Sequence, residues 1–495
     1  MKKSVAILCS AVATACLALT ACNSGDWNGG SYAPEYNIDV AAPDGAAGGD
    51  YEYEPIIENG YSTADKASYF SLDRNTAGYS LVRRSIENCY AIQPDSVRIE
   101  EMINYFDYSY PVPESEAAAV TGYLTDCPWN SENKIFAAGV KTVERSISEG
   151  NANYVFLIDT SGSMSGDDRI GLAKYGLNLL VDELGGGDVI SIVTYASGCE
   201  TVLDGGECSD GNKASVKKKI SSLRAYGSTY GEKGLQRAYE VAKSHYITGG
   251  NNRVILISDG DFNCGISDPD EMKEFVQEKA KSGVYLSVLG VGMGNLRSTI
   301  LETLALNGNG NYAYLDCKTE AEKVFKHDLK GTLITVAKDA KTGVTFTDNV
   351  EKYRLIGYDS KIISEDDFNN ENADTGEIGS NLCVTALYEL KLKDGAEGKI
   401  ADVEVRYKDA LAGEENCSVK CEITTLTPSS DDLAFISCVA EFGLILRDSK
   451  FKGDASLVNV MERLESLSEY IGGDPYKREF VTLIGKYSEL PEQNR

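Results

Sequence analysis

Residues 154–163 read Tyr154-Val155-Phe156-Leu157-Ile158-Asp159-Thr160-Ser161-Gly162-Ser163. An apolar run with no polar alternation predicts a strand covered on both faces. A carboxylate and hydroxyls follow it directly, and open α/β sheets bind ligands at the carboxyl ends of their strands. Further strands are predicted at Val189–Tyr195, Thr201–Leu203, Val254–Ile257 and Val284–Val291. Between them lie amphipathic helices. One stripe is Ile170, Ala173, Leu177, Leu180, Val181 and Leu184, and a second is Leu235, Ala238, Tyr239 and Ala242. A third helix opens with Asp268 as cap and Pro269 at its first position, then buries Met272, Phe275 and Val276. The order β-α-β-β-α-β-α-β predicts a doubly wound, mostly parallel α/β sheet with one antiparallel edge strand, over residues 150–330.

The flanks have a different period. Residues 61–149 form an N-terminal region with an amphipathic stretch at Val97–Phe106 and a strand at Lys134–Thr142. Residues 331–428 are β-rich, with strands at Val344–Phe346, Tyr353–Tyr358, Leu382–Leu392, Ile400–Tyr407 and Cys417–Thr425. Residues 429–495 are helical, at Asp431–Leu446, Ala455–Leu464 and Pro475–Tyr487. Period-2 character on both sides predicts that the α/β domain is an insertion. Residues of about 119–146 should then join the strands of 340–425 in one β-sandwich-like domain.

Lys2 and Lys3 precede an apolar, Ala-rich stretch from Val5 to about Leu19, and Ala21 precedes Cys22. This pattern predicts a signal peptide over residues 1–21. Leu19-Thr20-Ala21-Cys22 resembles the bacterial lipobox, so Cys22 is expected to carry lipid and anchor the chain instead of spanning the bilayer. The address implied is the cell envelope, at the outer face of the cytoplasmic membrane or at the outer membrane. Residues 22–60, rich in Gly, Ala, Asp and Asn, are expected to be a flexible tether. The formal net charge of −28 argues against nucleic acid and against electrostatic docking on anionic lipid. It favours cations, although a solvated acidic surface would read the same way. Of the 13 cysteines, Cys199 and Cys208 could close a short loop between two strands. Cys417 and Cys421 cannot pair while both lie on one strand.

Asp159, Ser161 and Ser163 offer three oxygens from one loop. Gly227-Ser228-Thr229 precedes a helix, and the strand Val254–Ile257 ends in Ser258-Asp259-Gly260. Two carboxylates with hydroxyls make a hard, oxygen-only site, suited to one Mg²⁺ (or Mn²⁺ or Ca²⁺) per chain. So little protein charge leaves the ion electrophilic, and a carboxylate from another molecule could complete its shell. In this order and context, Asp159-x-Ser161-x-Ser163, Thr229 and Asp259-Gly260 resemble the metal-ion-dependent adhesion site of von Willebrand factor type A domains. Phe70-Ser71-Leu72-Asp73, Pro94–Tyr105, Tyr353–Tyr358, Gly376–Gly379, Val384–Tyr388 and Gly453–Ser456 resemble the YfbK-like bacterial lipoproteins that carry this domain. The resemblance implies that Ser161, Ser163 and Thr229 contact the metal directly, and that Asp159 and Asp259 do so directly or through water. The function it implies is non-enzymatic binding of a protein ligand through an acidic side chain. A scaffold whose metal only stabilises the fold is the alternative, and a metal-assisted hydrolase a remoter one. Asp259-Gly260-Asp261-Phe262-Asn263 mimics an EF-hand loop, but Cys264 stands where that loop turns on Gly. Phosphatases with an Asp nucleophile need a second Asp where Ser161 stands. The two imidazoles, His245 and His327, fall in predicted helices near Lys residues and are expected to be solvated or packed.

Overall fold

The computed structural model describes residues 55–72, 74–145, 152–228, 232–260, 269–292, 298–328, 335–371, 373, 375–410, 413 and 415–494. The leader, Cys22 and most of the expected tether lie outside the described residues.

The central sheet has six strands: β1 (Ala152–Asp159), β2 (Val189–Tyr195), β3 (Cys199–Glu207), β4 (Asn251–Ser258), β5 (Val284–Val291) and β6 (Tyr312–Leu315). Their spatial order is β6-β5-β4-β1-β2-β3, parallel throughout except for β3, the antiparallel edge. This is the predicted doubly wound sheet. Every residue of β1 is buried, because helices cover both faces. Tyr154, Phe156 and Ile158 pack against helix Leu172–Glu183, with Ala173, Leu177 and Phe325. Val155 and Leu157 pack against Leu235, Ala238 and Leu304 on the other side. Several elements escaped the sequence reading, the helices Ser298–Asn307 and Lys318–Glu322 among them. Helix Lys213–Ser222 buries only Val216 and Ile220, too thin a stripe to register. Strand β6 is only 4 residues long, too short to show a period. Asp268, the expected cap, lies outside the described residues, but the helix begins at Pro269 as predicted.

The insertion is observed. Strand Lys134–Thr142 pairs antiparallel with Ala118–Asp126 on one side and with Cys383–Leu392 on the other. Sequence from before and after the α/β domain thus shares one five-stranded sheet, completed by Val350–Ile356 and Ser62–Thr63. A second sheet comprises Gly376–Gly379, Thr335–Phe346, Lys399–Asp409 and Glu415–Thr424, with Ser68–Ser71 pairing to Thr335–Phe346. Period-2 alternation decides which side chains meet. Phe136, Ala138, Val140, Tyr388 and Leu390 point into the sandwich with Val344, Val403 and Val405. Ile135, Ala137, Cys383 and Leu387 point the other way, into a helical layer. That layer joins Ala77–Glu87 and Ile99–Asn104 to Asp431–Leu446, Leu457–Ser466 and Pro475–Glu489 around Phe106, Phe435, Phe442 and Phe480. Ser430, Ser456 and Asp474 cap the last three helices by accepting backbone N–H bonds.

Cys199 and Cys208 are both free thiols. Strand β3 lies between them, paired along β2 from Tyr195 to Val189, so they stand roughly 20 Å apart instead of flanking a short loop. Cys417 and Cys421 share strand Glu415–Thr424 and are free, as expected. Among the described residues no helix is long and apolar enough to cross a membrane.

Candidate metal centre

Strand register builds the site. Asp159 ends β1 directly opposite Tyr195 of β2. On the other side Ile158 aligns with Ile257 of β4, which brings Ser258 beside Asp159 and Asp259 one residue further along the same edge. Beyond Asp159 the chain turns sharply. The Ser161 N–H donates to Asp159 Oδ1 at 2.8 Å, and the Ser161 and Ser163 hydroxyls lie 2.8 Å apart. The Thr160 N–H donates to the Tyr195 carbonyl at 2.9 Å, tying the loop back to β2.

A second loop is stapled to the first through its backbone. The Tyr226 N–H donates to the Thr160 carbonyl at 2.7 Å, and the Gly162 N–H donates to the Gly227 carbonyl at 2.9 Å. Gly227 adopts φ +84°, and a Cβ there would come within 2.5 Å of the Ser197 hydroxyl, so the turn requires glycine. Thr229, two residues on, lies outside the described residues. The structure therefore gathers Asp159, Ser161, Ser163 and Asp259 on one edge and carries the chain to Ser228 beside them.

The electrostatics are those of an incomplete site. Asp159 is fully buried, and among the described residues its Oδ2 has no hydrogen-bond partner. Burial pushes its carboxyl up to about 6. The Ser161 hydrogen bonds and the nearby Tyr195 hydroxyl work against that rise, and the Asp259 charge adds to it. Asp259 is also buried, at 5% exposure. Among the described residues no three His, Cys, Asp or Glu side chains cluster, so the donors here are two carboxylates and neutral hydroxyls. Such a set fits a hard divalent cation and offers no nitrogen or sulfur ligand.

Three supporting residues were not anticipated. Tyr195 could have been found from strand register alone. Gly227 carries no signal without its turn geometry. Arg169, on the turn Asp167–Gly171, donates to the Ser163 carbonyl and lies where a Cβ on Gly292 would meet it, bracing the metal loop against the end of β5. His245 pairs with Asp204 at 2.8 Å, next to Gly205 near the far end of β3 and away from this edge.

A doubly wound sheet whose first strand ends in Asp-x-Ser-x-Ser defines a von Willebrand factor type A domain, and the family model of that description matches residues 154–261. A model described as von Willebrand factor matches residues 48–137, and one described as uncharacterized protein YfbK, C-terminal, matches residues 331–490. The chain is 36% identical over 447 residues to uncharacterized protein YfbK of Escherichia coli K12, covering 84% of this chain and 77% of that one. It belongs to the YfbK family. Inter-alpha-trypsin inhibitor heavy chain H3 of Mesocricetus auratus is 25% identical over 257 residues, covering 49% of this chain and only 29% of that relative. Among solved structures, von Willebrand factor type A from Catenulispora acidiphila covers 75% of this chain and 93% of its own, at 16% identity and a TM-score of 0.41.

Proposed function

We propose that this chain is a non-enzymatic, divalent-cation-dependent protein-binding module of the bacterial cell envelope. One Mg²⁺ (or Mn²⁺ or Ca²⁺) is held by Asp159, Ser161, Ser163, Thr229 and Asp259. The observation that carries this reading is the Asp159 carboxylate, buried on a braced loop with one oxygen that has no hydrogen-bond partner among the described residues. A buried carboxylate without a partner is costly, and a cation at that oxygen removes the cost. Two carboxylates and neutral hydroxyls leave the ion able to take one more anionic oxygen, which an acidic side chain of the partner supplies. Among the described residues the edge shows no imidazole base. Lipid on Cys22 would hold the module at the outer face of the cytoplasmic membrane or at the outer membrane.

The test is crosslinking and capture from membranes with Mg²⁺ and with chelator, using wild type, Asp159→Ala and Cys22→Ser. The reading predicts partners captured only with Mg²⁺ and intact Asp159, and release of Cys22→Ser from the membrane fraction. Capture indifferent to chelator would favour a scaffold, and Cys22→Ser remaining after a carbonate wash would refute the lipid anchor.

A further inference from the structure

The chain is strongly acidic, with a formal net charge of −28, yet the segment entering the second metal loop is basic. Between Cys208 and Ser228 stand Lys213, Lys217, Lys218, Lys219 and Arg224, against a single acid, Asp210. Topology aims this segment at the site. Strand β3 runs away from the metal edge, helix Lys213–Ser222 returns towards it, and Tyr226 then bonds Thr160. Lys217 is taken up by Asp182 at 2.5 Å, and Lys213 lies 3.5 Å from Asp210. Lys218, Lys219 and Arg224 are exposed and pair with no carboxylate among the described residues. Tyr226 is 62% exposed, and its backbone is fixed by the bond to Thr160. A rigid aromatic on a fixed loop loses little entropy on contact. The charge is one-sided, because the exposed acids Asp167 and Asp168 follow the first metal loop.

We propose that Lys218, Lys219, Arg224 and Tyr226 form the docking surface for an acidic segment of the protein partner. One carboxylate of that segment reaches the metal, its neighbouring acids lie along the basic turn, and the tyrosine packs on its backbone. This rests on the metal-binding reading above and names the class of ligand. Anionic bilayers and nucleic acids present extended negative surfaces, which the rest of this acidic chain repels. A short acidic peptide needs only the local patch.

The probe is a labelled ten-residue peptide alternating Glu and Gly. A control has all but one Glu replaced by Gln, and phosphatidylglycerol vesicles form the third arm. Each is titrated into the full chain with Mg²⁺. The Lys218→Glu/Lys219→Glu/Arg224→Glu variant should bind the acidic peptide at least roughly tenfold more weakly, with a reduced salt dependence. Its Mg²⁺ titration should still reach one ion per chain, and its affinity for the control should fall far less than its affinity for the acidic peptide. A milder triple Gln variant should fall in between, and it guards against misfolding. Tyr226→Ala should weaken both peptides about fivefold. Undiminished acidic-peptide binding by the triple Glu variant, no binding by wild type, or capture by vesicles in preference to peptide would overturn the proposal. Asp159→Ala separates the two readings. Lysine-dependent binding that survives in it keeps the surface and rejects the metal site, whereas binding lost in it but indifferent to the lysines does the reverse.

Discussion

Arg83 and Asp159 are both buried charges, at 2% and 0% exposure, and the molecule treats them in opposite ways. Arg83, on helix Ala77–Glu87, donates to Asp316 at 2.5 and 2.8 Å, to Glu320 at 2.7 Å, to Glu479 at 3.0 Å and to the Tyr105 hydroxyl at 2.9 Å. Those partners come from the α/β domain, the C-terminal helices and the N-terminal region, so a single guanidinium locks three segments together. Asp159 accepts the Ser161 N–H on one oxygen, with the Ser161 and Tyr195 hydroxyls nearby, and among the described residues no cationic side chain pairs with it. A buried charge answered from within the chain is structural. One without such an answer among the described residues, at the carboxyl edge of the sheet, is what the proposed metal-binding reading rests on.

The comparison can be broken first at its structural end. Arg83→Met should cost about 3–5 kcal/mol, because it strands Asp316, Glu320 and Glu479 without their cation. Denaturant unfolding measures this, and a loss below about 1 kcal/mol would mean that the cluster is not a lock.

A third buried carboxylate sharpens the contrast. Glu101 accepts the Gly78 N–H at 2.7 Å, and burial, then Glu302 and Glu100, push it up to about 8 despite Lys361 and Arg98. With cations outweighed, it keeps its proton. Its folded value lies above the unfolded one, so its stabilisation is fully present below about pH 4.5 and is lost as pH rises through about 8. Glu101→Gln keeps the acceptor without the charge. Relative to this variant, wild type should lose on the order of 4 kcal/mol between pH 5 and pH 9. Parallel stability curves across that range would contradict the assignment.

How much of this was legible in the sequence follows the range of the interactions. The order and polarity of β1, β2, β4 and β5 were readable because each is an apolar run closed by polar punctuation. That Asp159, Ser161, Ser163 and Asp259 share one edge was readable because the first three sit within one loop, and Asp259 follows a clear strand. That Lys134–Thr142 joins the strands of 340–425 followed from period-2 patterning on both flanks, whereas its particular partner, Cys383–Leu392, came only from the structure. Other features were out of reach. Strand β6 is too short to show a period. The Arg83 cluster unites residues hundreds of positions apart, and local patterning carries no trace of such contacts. The length of β3, and with it the separation of Cys199 from Cys208, depends on pairing with β2 and not on its own mixed composition.

The central claim is that the open carboxylate of Asp159 holds a metal. Calorimetric titration of wild type and Asp159→Ala with Mg²⁺ and Mn²⁺ tests it directly. Wild type should take one ion per chain and gain about 2.7 kcal/mol of stability when the metal is at 100 times its dissociation constant. Asp159→Ala should bind none, lose only that gain and keep its circular dichroism spectrum, since the loop lies at the edge of the sheet and not in its core. Unchanged affinity in a folded Asp159→Ala would contradict the account and put the metal elsewhere.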